Sequence, residues 1–477
     1  MEWFGSALDV AAAISSRQVS PTEVMEHYLG RVDALDDRLN AFALRDDDRA
    51  LADAHAATDL VTRADPADLP PFTGVPIPIK DLNDVAGWPT THGSFAVSDE
   101  PAERDEDVVR RFRDAGFVLM GKTTTPEFGS ISFTESKRLG ITRNPWDTEH
   151  TPGGSSGGAG AAVASAMAPV AHASDGGGSI RIPASCCGLV GLKPSRNRVT
   201  NGVEIFGGGA TSGVVSRTVA DTAAILDVLA EFDLGAFNVA PPPSQPFARE
   251  VGSSPGVLRI RVETTNPVGI PVDPACVTAV ERAASLLEGL GHRVDVEPVQ
   301  WPDPYEFLAD FALQWSTGTA YVPLTDPELL EPHDLADLRA AESTSALEYA
   351  NAQRRLQVGS RSFVRQFGGS EAGDFDVLVT PTMAVEPPKV GACWTGADEN
   401  PAAVLGNCFP MAVYTAMFNL TGLPAMSLPL HMSESGLPVG VQFVAPPWSE
   451  AVLLRLGSQI ESAAPWTDRW PALTEAT

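Results

Sequence analysis

Near the start of the chain, apolar positions recur at helical spacing. Val24, Tyr28, Val32 and Leu35 share one face behind Ser20-Pro21-Thr22-Glu23, a capping box with proline in the first turn. The spacing predicts a helical part over residues 1–60. At Val75–Ile79 the pattern shortens to an apolar run ending in Lys80-Asp81, which predicts a strand with charge at its carboxyl end. That is where α/β sheets usually carry their chemistry. Val257–Val262 and Arg293–Val296 read as strands around a helix opened by Asp273-Pro274 and closed by Gly291, one β-α-β unit. Residues 303–370 read as mostly helical, Asp376–Val379, Ala425–Leu430 and Val439–Val444 as short strands, and Glu450–Ser462 as an amphipathic helix. Pro241–Pro255 is rich in proline and serine and predicts a connecting loop. Strands and helices alternate without an internal repeat, so the expected class is α/β.

Composition narrows what such a fold can do. The 477 residues are 43% hydrophobic, enough to bury a large core, so disorder is excluded as the main state. Lys plus Arg number 33 against 61 Asp plus Glu, a net charge of −28 whose field repels phosphate backbones and anionic lipid. Nucleic acid and membrane are therefore not expected partners. The stretch Met1–Gln18 has no basic region followed by an apolar core, so no signal segment is expected. No run approaches the ~18 apolar residues of a membrane span. Five cysteines, two of them the adjacent Cys186 and Cys187, make neither a disulfide framework nor the paired spacing of a zinc site. A cytoplasmic location is the expectation, with no metal.

Three segments could carry chemistry. Gly116–Thr123 satisfies the P-loop expression, but Phe117–Met120 is itself a strand, Gly116 fits a helix C-terminus, and Pro126 breaks any helix after Lys122. Nucleotide binding is excluded there. Gly153-Gly154-Ser155-Ser156-Gly157 fits a nucleophile elbow, which needs a downstream histidine. His172, His292, His333 and His431 follow, none in a distinctive setting. From Thr151 to Gly191 the chain turns to Gly, Ser and Ala: Ala159–Ala168 reads as a small-residue helix and Ala173–Gly191 as packed backbone. Within it Asp175-Gly176-Gly177-Gly178-Ser179 presents consecutive backbone N–H groups before a serine, a run that can turn as a nest towards an oxyanion or serve only as a tight turn.

The segment from Thr151 to Ser195, TPGGSSGGAGAAVASAMAPVAHASDGGGSIRIPASCCGLVGLKPS, resembles the signature of the amidase signature family of serine hydrolases. GVPIPIK from Gly74, GKTTTPEFG from Gly121, Asn419–Pro424 and Gly436–Gln442 match it as well, and the resemblance weakens only between about Pro241 and Asp374. It implies one domain over residues 1–477: a helical part at 1–60, a catalytic core at 70–235, a connecting loop at 240–256 and a variable pocket region at 300–410, built on a single large mixed sheet with helices on both faces.

The resemblance also implies a Ser-cisSer-Lys triad, with Lys80 as base, Ser155 as the cis-serine relay and Ser179 as nucleophile. Gly176, Gly177, Gly178 and Ser179 would supply oxyanion N–H groups, and Gly129, Ser130, Ile131 and Ser132 would line the substrate pocket. No metal or organic cofactor is implied. A lone strand-end lysine is usually solvated, so Lys80 gains its role from the resemblance alone. Asp175 and Arg181 read as charges bracing the glycine loop, and Cys186 and Cys187 as packing. The expected substrate is a small neutral, hydrophobic amide, anilide or carbamate, its acyl-side wall drawn from residues 300–410 with Trp315, Tyr321 and Trp394 as aromatic candidates. Arg354-Arg355 reads as a solvated helix face rather than a carboxylate grip. A glutaminase subunit of a tRNA-dependent amidotransferase and a non-catalytic descendant of the fold are the alternatives, and a homodimer is left open.

Overall fold

A computed structural model describes residues 5–200, 204, 206–368 and 374–475. Positions 1–4, 201–203, 205, 369–373 and 476–477, which several ranges above include, lie outside the described residues. Helices Ala7–Ser15, Pro21–Leu39 and Asp47–Arg63 form the N-terminal part, the second opened by the Ser20/Glu23 capping box. The helical expectation misses one element there, a short strand β1 (Phe42–Leu44) that pairs with β3 (Val118–Thr123), itself parallel to β2 (Pro76–Lys80). A two-stranded ladder follows, β4 (Glu135–Ser136) with β5 (Gly140–Ile141).

Among the described residues the main sheet has eight strands: β6 (Ala171–Asp175), β7 (Val190–Lys193), β8 (Thr211–Ser216), β9 (Arg259–Val262), β10 (Arg293–Val296), β11 (Val377–Pro381), β12 (Ala425–Met432) and β13 (Pro438–Val444). Their order is β10-β9-β11-β13-β12-β7-β8-β6. β10, β9 and β11 are parallel, as the β-α-β unit requires, and every other neighbouring pair is antiparallel. Alternate residues feed two different cores: Val214 packs into one cluster with Leu192 and Met426, Val215 into another with Ala171, Ala173 and Ile180. Both faces are covered, which is the α/β architecture of a buried sheet.

The stretch Ala173–Gly191, read as packed backbone, divides into the end of β6, the glycine loop, a helix Arg181–Cys187 and the start of β7. That helix lies unusually close to the sheet. A Cβ at Gly191 would stand 2.7 Å from the Ala184 Cβ, one at Gly213 2.8 Å from Cδ1 of Ile180, the residue that caps the helix's start, and one at Gly440 2.7 Å from Ser185 Oγ. Glycine at these three strand positions is therefore a condition of the helix's seat, and the seat fixes the loop before it. Arg354 and Arg355 lie on an exposed helix face, as expected, and Arg355 also forms an ion pair with the buried Asp310. Among the described residues no single helix is long and apolar enough to cross a membrane.

Candidate active site

Lys80 ends β2 and is fully buried beside β6, its backbone N–H reaching His172 Nδ1 at 3.3 Å. Its Nζ donates to Ser155 Oγ at 2.7 Å and to Ser174 Oγ at 3.1 Å. Burial drives the Lys80 ammonium down to about 7 against the opposing pull of Asp175, so near neutral pH a large fraction is free amine. His172 is held neutral, its value lowered to about 3 by burial and then by the Lys80 and Lys122 charges. The P-loop look-alike has a structural use: Lys122, within β3, is buried in an ion pair with Asp81 at 2.8 Å and donates to Thr90 Oγ1.

Ser155 follows a cis peptide from Gly154 in the loop before helix Gly157–Ala164. Thr134 holds that loop from both ends, donating to the Gly153 carbonyl at 2.8 Å and accepting from the Gly157 N–H at 3.1 Å. Ser156 Oγ ties it to β6 through the Ser174 backbone. Gly154 allows the loop's close approach to its neighbours: a Cβ there would lie 2.5 Å from the Phe133 nitrogen.

Ser179 closes the glycine run, and among the described residues its Oγ makes no hydrogen bond. Asp175 organises the turn. Its carboxylate accepts from the Gly178 N–H at 2.7 Å and the Ile180 N–H at 3.2 Å, and from Arg181 Nε and Nη2, both at 2.9 Å. Asn419 and Gln442, from the two C-terminal stretches that matched the family, bind Arg181 at 2.7 Å each. Burial pushes Asp175 up, but the Arg181 charge and hydrogen bonds prevail and hold it down to about 2. Gly178, expected among the oxyanion donors, has its N–H engaged by the Asp175 carboxylate. The N–H groups of Gly176, Gly177 and Ser179 have no such partner among the described residues.

Two cavities meet at Ser179. The first, 560 Å³, is lined by Ser155, Ser174, Gly176, Phe206, Trp315 and Tyr321, together with several charged side chains. The second, 410 Å³, is apolar, walled by Ile182, Leu308, Phe311, Trp315, Leu405 and Phe409. Gly129 and Ser130 line both cavities, while Ile131 and Ser132 line the second. Trp315 stacks on Phe206 with ring centres 4.8 Å apart and donates to the Ser130 carbonyl at 3.1 Å. Trp394 is not a wall residue. It packs edge-on against Phe133 and donates to Glu135 at 3.0 Å, which makes it part of the support behind the site.

Sequence reasoning missed Ser174, the second oxygen on Lys80, because only the approach of β2 to β6 brings residues 94 apart together. It also missed the carboxylates Asp84, Glu106 and Asp337 on the wall of the first cavity. Asp84 follows the Lys80-Asp81 strand end by three residues, the only hint the chain offers.

The amidase family profile matches residues 23–454. The 6-aminohexanoate-cyclic-dimer hydrolase of Paenarthrobacter ureafaciens is 37% identical over 97% of this chain and 95% of its own length. The putative amidase AmiB2 of Mycobacterium tuberculosis is 38% identical over 99% of this chain and 98% of its own. A structure of 6-aminohexanoate cyclic dimer hydrolase complexed with substrate superposes with a TM-score of 0.91 at 35% identity, covering 99% of this chain and 100% of that one. A bacterial aryl acylamidase, at 24% identity and a TM-score of 0.87, shares the fold. With the signature segments, the sheet and the profile in agreement over nearly the whole chain, the protein belongs to the amidase signature family and is a hydrolase of amide carbon–nitrogen bonds.

Proposed function

We propose that the chain hydrolyses small amides through an acyl-enzyme on Ser179, with Ser155 as proton relay and Lys80 as base. The observation that carries this is the 2.7 Å contact from a buried, readily neutral Lys80 to Ser155 Oγ, beside a serine whose hydroxyl is otherwise unengaged. A serine hydroxyl is a weak nucleophile at neutral pH and needs a base. Ser179 Oγ attacks the carbonyl while its proton passes by way of Ser155 to Lys80, and the same path returns a proton to the leaving nitrogen. The N–H groups of Gly176, Gly177 and Ser179 receive the developing oxyanion, and each such donor is worth roughly 3 kcal/mol in related chemistry. Water then attacks the ester and regenerates Ser179.

The apolar second cavity supports a hydrophobic acyl half, and an anilide or carbamate would present the same electrophilic carbon. A cytoplasmic setting belongs to the same proposal, supported by five buried cysteines that are all unpaired. The test is mass spectrometry of the purified protein after treatment with a fluorophosphonate. The adduct is expected on Ser179; an adduct on Ser155 or Ser156 would overturn the assignment.

A further inference from the structure

The two cavities differ in a way that fixes which half of the substrate enters each. Ser155 and Ser174 line the first cavity and are absent from the wall of the second, whereas Ser179 lines both. On the mechanism proposed above, the leaving nitrogen takes its proton from Ser155, so the amine half must occupy the first cavity and the acyl half the apolar second.

The amine cavity is strongly acidic. Asp84, Asp105, Glu106, Asp107 and Asp337 stand on its wall, with Asp175 already paired to Arg181, against one exposed cation among the described lining residues, Arg104. Asp105 is already paired with Arg113 at 2.9 Å, and Asp107 lies 4.0 Å from Arg110. Asp84 and Asp337 have no side-chain hydrogen bond or ion pair among the described residues, and Asp337 borders both cavities where they join. Burial alone raises Asp337 to about 6, and burial with Asp84 nearby raises Glu106 to about 7 against the Asn83 hydrogen bond and the Lys122 charge. His92 on the same wall is held neutral by burial. Beside these carboxylates the stacked faces of Phe206 and Trp315 add surfaces that attract cations.

From this arrangement, and resting on the Ser179 acyl-enzyme, we propose that the enzyme's preferred substrates are mono-acylated diamines: an apolar acyl group on one nitrogen, and a second nitrogen, protonated, held by Asp84 and Asp337. Hydrolysis breaks the acyl C–N bond. The relay protonates the departing nitrogen, water supplies the hydroxyl of the carboxylic acid and restores the relay proton, and the products are the acid and a diamine. The same wall disfavours an amine half that carries a carboxylate, by like-charge repulsion.

The experiment compares kcat/KM for three amides of one acyl group: N-hexanoyl-1,5-diaminopentane, N-pentylhexanamide and N-hexanoyl-5-aminopentanoate. The order expected is cationic, neutral, anionic, with the cationic substrate about tenfold or more above the neutral one at low salt and the gap narrowing as salt is added. In Asp84→Asn and Asp337→Asn the cationic-to-neutral ratio should fall towards one, chiefly through KM. Equal or reversed rates for the cationic and neutral amides, with Ser179 still labelled by fluorophosphonate, would overturn the substrate assignment and leave the nucleophile standing. Loss of all three activities together with a failure to label Ser179 would overturn both.

Discussion

Arg181 grips both oxygens of the Asp175 carboxylate across Ser179, which lies between them in the chain, Nε to Oδ2 and Nη2 to Oδ1, each at 2.9 Å. Both side chains are fully buried, and Asn419 and Gln442 satisfy the rest of the guanidinium. The pair sets the turn that holds Ser179, since the same carboxylate accepts from the Gly178 and Ile180 N–H groups.

Breaking this pair should cost more than it would at a surface. Arg181→Met leaves a buried carboxylate without its cation, which typically destabilises by about 3–5 kcal/mol. Urea unfolding should show the loss, and adding Asp175→Asn should recover part of it. The sign with pH follows from the low value of Asp175: its contribution is present above the unfolded value of ~3.9 and lost as pH falls towards about 2.

Two neighbouring glycines should respond in opposite ways. Gly178 has φ +135°, and a Cβ there would sit 2.2 Å from Thr415 Oγ1 and 2.7 Å from Ile182 Cδ1. Gly177 has room, its nearest contacts being Phe311 and Trp315 at 3.7 Å. Gly178→Ala should therefore abolish turnover and lower Tm, whereas Gly177→Ala should fold normally and raise KM only for substrates with bulky acyl groups. Thermal melts and a series of acyl lengths check both outcomes.

Ser174 gives a finer test of the base. Its oxygen accepts from Lys80 Nζ at 3.1 Å, a contact stronger for the ammonium than for the amine. Ser174→Ala should favour the neutral lysine and move the acid limb of the pH profile downward, by up to about one unit if the bond is worth ~1.5 kcal/mol. A variant that lost activity at every pH without moving the limb would assign Ser174 a purely structural role.

Much of this arrangement was legible in the chain, for reasons that particular residues make plain. β2 and its terminal lysine stood out because five apolar and small residues end abruptly in charge, and the β-α-β unit because Asp273, Pro274 and Gly291 punctuate it. β7 and β8 were hidden because Gly191 and Gly213 replace the apolar residues that would reveal a period of two, and only the close seat of helix Arg181–Cys187 explains them. Trp394 illustrates another limit: its indole is anchored by Glu135 behind the pocket, and an aromatic residue in a variable region carries no mark of wall or support. Leu308, Phe311, Trp315, Leu405 and Phe409 of the second cavity come from the 300–410 region where a wall was expected, whereas the acidic wall of the first is assembled from positions 84, 105–107 and 337, far apart in the chain.

The proposed role of Lys80 as a neutral base can be read from the pH dependence of kcat/KM for a neutral amide. Activity should fall on the acid side with an apparent pKa of about 7, where the buried amine takes up its proton. Lys80→Ala should remove this limb along with about 10³-fold or more of the rate, while His172→Asn should leave the limb in place. Near-normal turnover in Lys80→Ala, or an acid limb that disappears with His172 instead, would contradict it.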